Sequence, residues 1–268
     1  VTGGAAVLDI FMKSDKFKVV SSTDIPGGIA MCEVYGGKME VEEVLMCSGG
    51  GATNCAVSLA RKELKTAIIA EMGNDPQSLL IHRDLEEAGV ETRFLIQESG
   101  ETTAVSVILI ADDGGRSIMV HRGASAMLTK HDLPWEELET RWMHVSSLGG
   151  NVELLKNIVG WAKQKKVRLS FNPGLTEIKH REKLLALLPE IEILFVNRDE
   201  AQQLWGIDYS DESLWMSLQP LPGARVTVMT DGARGGKVSD NGKVYFYQAE
   251  KSKKVIDTTG AGDAFASG

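Results

Sequence analysis

The sequence predicts an α/β protein with a mostly parallel central sheet covered by helices and a small antiparallel β lid. Helix and strand patterns alternate regularly from about residue 133 to 229, which implies right-handed βαβ units. Residues 11–47 instead alternate apolar and polar side chains, as strands with one wet face do. Polar residues stand where the buried strands end, which is where such sheets bind ligands. We therefore expect one domain over residues 1–268, with lid segments at about 12–47 and 91–110.

The bulk composition excludes several classes of protein. The chain has 268 residues, 43% hydrophobic and 25% charged, and a net charge of −8. This acidic balance argues against a general nucleic-acid or anionic-membrane binder, and no apolar run is long enough to span a bilayer. The five histidines form no metal-binding pattern. Three cysteines without disulfide or zinc spacing (Cys32, Cys47 and Cys55) indicate a reducing compartment, so we expect a cytoplasmic protein.

The order of the elements follows from apolar periodicity and turn residues. Residues 1–10 predict a buried first strand that Asp9 closes, and Asp75 with Pro76 predicts the start of a helix. Further strands are predicted at residues 65–72, 92–97, 103–111, 116–120, 142–146, 167–171, 191–196, 224–229 and 244–248, the second and third of these in the lid. Helices are predicted at residues 52–61, 76–89, 133–139, 152–165, 181–188 and 201–205.

The stretch DTTGAGDAF at residues 257–265 is the most informative one. A buried strand ends at Ile256, Gly260 and Gly262 permit a tight turn with uncovered amides, and a helix follows. A strand, a glycine turn and a helix N-terminus together form an anion site. Asp263 at this site either caps the helix or acts as a general base that takes a proton from an attacking hydroxyl group.

Two other segments near the N-terminus have both a structural and a functional interpretation. Asp9 either binds a ligand at its strand end or caps the next turn. Residues 48–56 form a glycine-rich loop and the start of a helix. Asn54 in this segment offers both a donor and an acceptor, which suits sugar hydroxyl groups, or it is a local cap.

Two segments near the C-terminus are similarly ambiguous. Asn197 and Glu200 fit a capping box, and a carboxylate in this place also suits Mg²⁺ held through water. Residues 230–236 (TDGARGG) either let the backbone lie against a phosphate or adenine, or form a hairpin turn.

Together these segments resemble the PfkB/ribokinase family of carbohydrate kinases. Residues 257–265 match its C-terminal signature, and residues 48–56 partly match its GG-x-x-x-N signature. The family also uses an Asn-x-x-Glu motif and a Thr-x-Gly-x-x-Gly nucleotide loop, which residues 197–200 and 230–235 resemble. The chain departs from the family pattern at residues 61–64, where a Leu-Gly helix end is common, at Asn172, where several relatives have Asp, and at Asp231, where an apolar residue is usual.

The resemblance implies a ribokinase-like three-layer domain that transfers the γ-phosphoryl group of ATP to a hydroxyl group of a small carbohydrate. It implies that Asp263 is the general base beside an anion hole of Gly260, Ala261 and Gly262, and that Asp9, Gly50 and Asn54 bind the sugar. It implies that the nucleotide is bound by Asn197, Thr230, Gly232 and Gly235, with Mg²⁺ held through water by Glu200. It also allows a monovalent cation, K⁺, near Asp257 and Thr259.

The resemblance also implies a lid that excludes water and forms a homodimer contact. Because the chain lacks an initiator Met and ends inside a predicted helix, we expect both ends to be incomplete. The resemblance implies further helices, beyond residue 268, that wall the adenine pocket. A nucleoside (adenosine-like) kinase and a phosphosugar kinase remain alternatives, the latter requiring extra cations for which Arg116 and Arg122 are the candidates. A non-catalytic sugar-sensing relative is a third alternative, against which the intact Asp263 argues.

Overall fold

The computed structural model describes residues 1–25, 28–33, 35–98, 100–250 and 258–268. The strands in this part of the chain are β1 (Thr2–Gly3), β2 (Val7–Lys13), β3 (Lys18–Ser21), β4 (Ile29–Cys32), β5 (Glu43–Gly49), β6 (Ile68–Gly73), β7 (Leu95–Glu98), β8 (Ala104–Ile110), β9 (Arg116–His121), β10 (Trp142–Val145), β11 (Arg168–Phe171), β12 (Ile193–Asn197), β13 (Val226–Thr230), β14 (Gly236–Asp240) and β15 (Lys243–Tyr247). The helices are α1 (Gly51–Ala60), α2 (Pro76–Glu87), α3 (Val152–Lys165), α4 (Leu175–Ile178), α5 (Arg181–Leu187), α6 (Arg198–Trp205), α7 (Glu212–Trp215) and α8 (Ala261–Ala266). None of the helices described is long and apolar enough to cross a membrane.

Within the described residues, the large sheet has nine strands in the order β15-β14-β13-β12-β11-β10-β1-β6-β7. The strands from β13 to β7 pair in parallel, and β14 and β15 add an antiparallel edge. Helices α3, α5 and α6 bury their apolar faces against the β10–β13 half, while α1 and α2 cover β6. The predicted fold class, a mostly parallel central sheet covered by helices with a small second sheet, is confirmed.

The small sheet has four described strands in the order β5-β2-β8-β9. Its outer pairs are antiparallel, as predicted, but β2 and β8 run parallel. Strands β3 and β4 pair only with each other, as a separate two-stranded sheet. The prediction that residues 92–97 belong to the lid is wrong, because β7 extends the large sheet beside β6; strand β9 takes that place in the small sheet instead.

The predicted first strand over residues 1–10 is two strands in different sheets. Gly4 separates them, with φ of 139°, a backbone conformation that side-chain-bearing residues rarely adopt. The chain leaves the large sheet there and enters the small sheet as β2. Asp9 is therefore the third residue of a lid strand, and the expectation that it closes a strand of the central sheet is wrong.

The helix predicted at residues 133–139 is also wrong. The segment forms turns, with bonds such as Trp135 N–H to Leu133 O at 2.9 Å and Leu138 N–H to Pro134 O at 3.2 Å. Leu133 and Leu138 are buried in the core, so the apolar spacing reflects packing. A segment this short gains too few hydrogen bonds to stabilise a helix by itself.

The carboxyl edge of the large sheet collects polar residues, as predicted. Asn172 follows β11, Asn197 ends β12 and Thr230 ends β13. Asn197 and Thr230 are direct neighbours in the parallel register. Since parallel strands present their carboxyl ends at one edge, residues far apart in sequence meet there.

Candidate active site

The turn before α8 places Asp263 in the first turn of a helix. Gly260 is its N-cap, with φ of 72°, and Ala264 N–H donates to Gly260 O at 2.9 Å. A Cβ atom on Gly260 would lie 3.4 Å from the Nδ2 atom of Asn54. Glycine is therefore favoured here by its backbone conformation and by the close approach of α1.

The Asp263 carboxylate is joined to Asn54, 209 residues away in sequence. The Nδ2 group of Asn54 donates to Oδ2 of Asp263 at 2.7 Å. Helix α1 starts after Gly50, whose φ is 91°, and a Cβ atom on Gly51 would lie 3.5 Å from Oδ1 of Asp263. The glycine-rich loop thus packs against this carboxylate, and the structure brings together Gly50, Asn54 and Asp263, to which the resemblance gave roles at the sugar site.

The side chain of Asp9 faces the same region from the small sheet. It is only 9% exposed and accepts a hydrogen bond from Ser106. Burial raises the pKa of Asp9, the Ser106 hydrogen bond opposes this, and the charge of Asp263 raises the pKa further. A Cβ atom on Gly49 would overlap the Asp9 carboxylate, so glycine at this position leaves room for it.

Burial also raises the pKa of Asp263, while the hydrogen bond from Asn54 lowers it. Desolvation disfavours the charged form and the donor stabilises it. A carboxyl group with a raised pKa is a stronger base once ionised, and a cleft is where such groups often have a chemical role.

Two cavities lie on either side of the turn before Asp263. A cavity of about 880 Å³ reaches Gly260 and is lined by Asp9, Phe11, Cys47, Ser48, Asn54, Val57, Ser58, Arg61, Lys62, Asp84, Glu87, Ala88, Thr259, Gly260 and Ala264. A smaller one, of about 190 Å³, reaches Gly262 and is lined by Asn172, Phe195, Val196, Asn197, Glu200, Thr230, Gly262 and Phe265. After the roles that the resemblance implies for their lining residues, we call these the acceptor cavity and the phosphate cavity. The predicted sugar residues Asp9 and Asn54 line the first, and the predicted nucleotide and metal residues Asn197, Thr230 and Glu200 line the second.

Asn197 and Glu200 form the capping box that the sequence allowed. Asn197 Oδ1 accepts from Glu200 N–H, and a Glu200 carboxylate oxygen accepts from Asn197 N–H, both at 2.8 Å. Burial raises the pKa of Glu200 to about 7; the Asn197 N–H opposes this, and the charges of Asp199, Glu177 and Asp263 add to it. The cap therefore holds an unusually basic carboxylate beside the phosphate cavity.

The loop after β13 carries the predicted residues Gly232 and Gly235, whose φ angles are 51° and 90°. Asp231 N–H donates to Gly235 O at 2.8 Å, which closes the loop into a compact turn. The Asp231 carboxylate forms ion pairs with Arg198 and Arg234. The ion pair with Arg198 connects this loop to α6, directly after Asn197.

Comparison with known proteins identifies the family. Residues 27–268 match the model of the pfkB family carbohydrate kinases. The chain belongs to this family. The family consists of phosphotransferases whose acceptor is a hydroxyl group.

Several members of the pfkB family are similar to most of the chain. Fructokinase from Escherichia coli is 30% identical over 239 residues, which cover 84% of this chain and 76% of that protein. ATP-dependent ribose-1-phosphate kinase from Halopiger xanaduensis is 28% identical over 242 residues, covering 87% and 75% of the two proteins. The structure of ribokinase from Cryptococcus neoformans var. grubii serotype A in complex with ADP has a TM-score of 0.74 at 24% identity, over 99% of this chain and 84% of that one. The fold is thus ribokinase-like.

One carboxylate of this pfkB-family chain was not predicted from the sequence. Glu177 is fully buried, and its oxygens accept from the N–H groups of Leu148 (2.8 Å), Gly150 (2.7 Å) and Gly174 (2.7 Å). It ties together the loops that follow β10 and β11 at the carboxyl edge. The only signal in the sequence is its position three residues after Gly174, the capping-box spacing, which shows neither the burial nor the two loops.

Arg116 crosses from the lid to the signature loop. Its guanidinium donates to the Oγ1 atoms of Thr258, at 2.9 Å, and Thr259, at 3.2 Å. The predicted cation residue Thr259 therefore has a protein cation beside it. Asp257, the other predicted cation residue, lies outside the described residues.

The small sheet presents two different faces. Residues paired across strands share a face, so the row Cys47, Asp9, Ser106 and Val120 and the next row Leu45, Phe11, Ile108 and Ile118 lie on one side. We call this the inner face, because Asp9, Phe11 and Cys47 line the acceptor cavity. The row Met46, Ile10, Val107 and Met119 lies on the opposite, outer face.

Proposed function

We propose that this chain transfers the γ-phosphoryl group of ATP to a hydroxyl group of a small carbohydrate, with Asp263 as the general base. The observation that carries the proposal is the Asp263–Asn54 hydrogen bond of 2.7 Å, on a turn that borders both the acceptor cavity and the phosphate cavity. A base between an acceptor and a phosphate donor is what in-line phosphoryl transfer needs.

On the acceptor side, Asp9 and Asn54 hold the sugar through its hydroxyl groups, and Gly50 lets the sugar approach the backbone. Both side chains line the acceptor cavity. Asn54 can donate to Asp263 and accept from a sugar hydroxyl at the same time. Asp263 then takes the proton of the attacking hydroxyl group as the hydroxyl oxygen bonds to the γ-phosphorus and the bond from that phosphorus to the oxygen of the departing ADP breaks.

On the donor side, the amides of Gly260, Ala261 and Gly262 stabilise charge on the transferred group. The first N–H groups of a helix have no acceptor within it. Ala261 N–H donates to Thr258 O at 3.2 Å and would exchange this partner for a phosphate oxygen. Such fixed donors act without reorganisation during the reaction.

Asn197, Thr230, Gly232 and Gly235 bind the nucleotide phosphates in this proposal. Mg²⁺ fits beside Glu200. Burial and the neighbouring carboxylates destabilise the ionised form of Glu200, and a bound cation would stabilise that form. Among the described residues no cluster of three or more His, Cys, Asp or Glu could hold a metal, which suits an ion held mainly by water and phosphate oxygens. Bound there, Mg²⁺ would neutralise charge on the phosphates.

Two further parts of the proposal concern assembly and cations. The outer face of the lid exposes Met46 and Met119, each about half exposed; two lids meeting through this face would bury them in a homodimer.

K⁺ near Thr259 and Asp257 would support the signature loop, in the place where Arg116 already approaches Thr259.

Asp263→Asn tests the proposal. Asn can still accept the hydrogen bond from Asn54 but cannot take a proton. We expect carbohydrate binding to be nearly unchanged and turnover, measured as ADP release, to fall by about 10³-fold. Asp24→Asn, an exposed carboxylate in a turn, is the matched control and should keep full activity. Turnover of Asp263→Asn at the wild-type level would refute the mechanism.

A further inference from the structure

The inner face of the lid changes character along its strands. The first row has Asp9 and Ser106 at its centre, and these are hydrogen-bonded to each other. The second row, two residues along each strand, is entirely apolar and consists of Leu45, Phe11, Ile108 and Ile118. Two residues along a strand span about 7 Å. An acceptor held at Asp9 therefore has apolar side chains about 7 Å away: Phe11 lines the acceptor cavity, Leu45 and Ile118 are exposed, and Ile108 between them is buried.

This apolar surface faces the site and remains partly open. Ile118 is 45% exposed and Val120, beside Ser106 in the first row, is 53% exposed. Phe11, in the second row with Ile118, lines the acceptor cavity. Arg116, in the third row on the same face, reaches Thr258 and Thr259 of the signature loop. The contacts of Arg116 show that this face of the lid is turned toward the loop that carries Asp263.

A free sugar would be a poor match for this surface. Hydroxyl groups project from most carbons of a small sugar, and any of them pressed against Ile118 and Phe11 would lose water without gaining a partner. A planar, weakly polar ring attached to the sugar would instead bury apolar area there. The polar first row and the apolar second row suit a two-part molecule.

We infer that the acceptor is a nucleoside. The sugar hydroxyls are held at Asp9 and Asn54, and the base lies against the apolar row of the lid. This inference rests on the proposed kinase function and narrows its acceptor to a sugar that carries a planar base. The third row offers both signs of charge, with Glu43, Lys13 and Arg116 on three different strands. The lining of the acceptor cavity also has both signs, Arg61 and Lys62 with Asp84 and Glu87, so neither set of residues singles out an anionic sugar.

The experiment compares acceptors that share one sugar. ADP release from ATP is measured with adenosine, uridine, ribose and ribose 1-phosphate, and fructose is added as an unrelated free sugar. We expect kcat/KM for at least one nucleoside to exceed that for ribose by about 70-fold, the ratio given by burying roughly 100 Å² at about 25 cal/mol per Å². Equal or better use of a free sugar or of ribose 1-phosphate overturns the inference and leaves the kinase proposal standing. ADP release with none of the five acceptors counts against both.

Variants of the lid test whether the base of the nucleoside lies on the inner face. Ile118→Thr and Val120→Thr each place a hydroxyl on the apolar inner face, and we expect either change to raise the nucleoside KM about tenfold and to change the ribose KM less than twofold. Val19→Thr is the matched control, since Val19 is 45% exposed on the separate β3–β4 sheet, and it should change neither constant. If Ile118→Thr and Val120→Thr alter ribose and nucleoside kinetics equally, or not at all, the base does not lie on this face.

Discussion

Replacing Glu200 with Gln should stabilise the fold at alkaline pH even though it lowers kinase activity. Burial, opposed by the Asn197 N–H and reinforced by Asp199, Glu177 and Asp263, raises the pKa of Glu200 from 4.5 to about 7. Between these two pH values the folded protein keeps a proton that the unfolded chain releases. The resulting stabilisation is complete below pH 4.5 and is lost as the pH rises through 7.

The size of this effect follows from the pKa. A rise from 4.5 to about 7 corresponds to about 3 kcal/mol. Because the Glu200 side chain keeps some contact with solvent, screening reduces this to roughly 1–2 kcal/mol. Gln cannot ionise, and its Oε1 atom can still accept from Asn197 N–H, so the cap of α6 is preserved. The Gln variant should therefore be more stable by about 1–2 kcal/mol at pH 8.5 and equal to the wild type at pH 4.5.

The assay is urea unfolding of both proteins at the two pH values, with a chelator present so that no divalent cation binds Glu200. Kinase activity is measured separately and should be lower in the variant, with a weaker dependence on Mg²⁺. A Gln variant that is less stable at pH 8.5, or a stability difference that does not change with pH, would refute the reasoning about Glu200.

Glu177→Gln is a control whose expected effect on the free energy of unfolding has the opposite sign to that of Glu200→Gln. It is also a carboxylate at the carboxyl edge, but three backbone N–H groups donate to it. In Glu177→Gln the amide NH₂ would face donors that need an acceptor, so we expect a loss of roughly 2–4 kcal/mol. Opposite responses of the two glutamates would separate the cost of burial from the gain of hydrogen bonding.

Two further predictions concern the lid. Arg116→Ala removes the bonds to Thr258 and Thr259 and should raise the acceptor KM about fivefold, with partial recovery in Arg116→Lys; an unchanged KM would show that the contact has no role in acceptor binding. Gly49→Ala places a Cβ atom where the Asp9 carboxylate lies, so initial rates should show an acceptor KM at least about tenfold higher and an ATP KM within about twofold of the wild type. Equal effects on both substrates would show that the change at Gly49 disturbs the whole fold.

Local patterns predicted the parts of this fold that depend on local physics. Asp75 caps α2 and accepts from Ser78 N–H at 3.0 Å, as its position before Pro76 indicated. The structure adds a bond from Thr103 N–H to the same carboxylate, at 2.7 Å, which ties the cap to the start of lid strand β8. That second partner is 28 residues away in sequence, and no helix-capping rule contains it.

The two wrong strand predictions share one cause, since both depended on long-range pairing. Residues 92–97 have a strand pattern, but periodicity does not say which sheet the strand joins, and β7 pairs with β6. The division of residues 1–10 depends on the backbone conformation of Gly4 between two sheets. For the site, the resemblance implied that Asn54 and Asp263 act on the same substrate, but the inner face of the lid required the register of four strands.

The site concentrates negative charge before any substrate arrives. Asp9 and Asp263 have raised pKa values on the acceptor side, and Glu200 has one on the phosphate side. In each case burial is the largest cause, and Asp263 contributes charge to both of the others. A neutral acceptor whose hydroxyl groups donate hydrogen bonds to Asp9 stabilises the carboxylates on the acceptor side. A cation beside Glu200 stabilises the carboxylate on the phosphate side. An anionic group placed beside Asp9 and Asp263 would add to the repulsion there, so the electrostatics that make Asp263 a better base also favour a neutral group at this point of the acceptor cavity, whose lining elsewhere includes the cations Arg61 and Lys62.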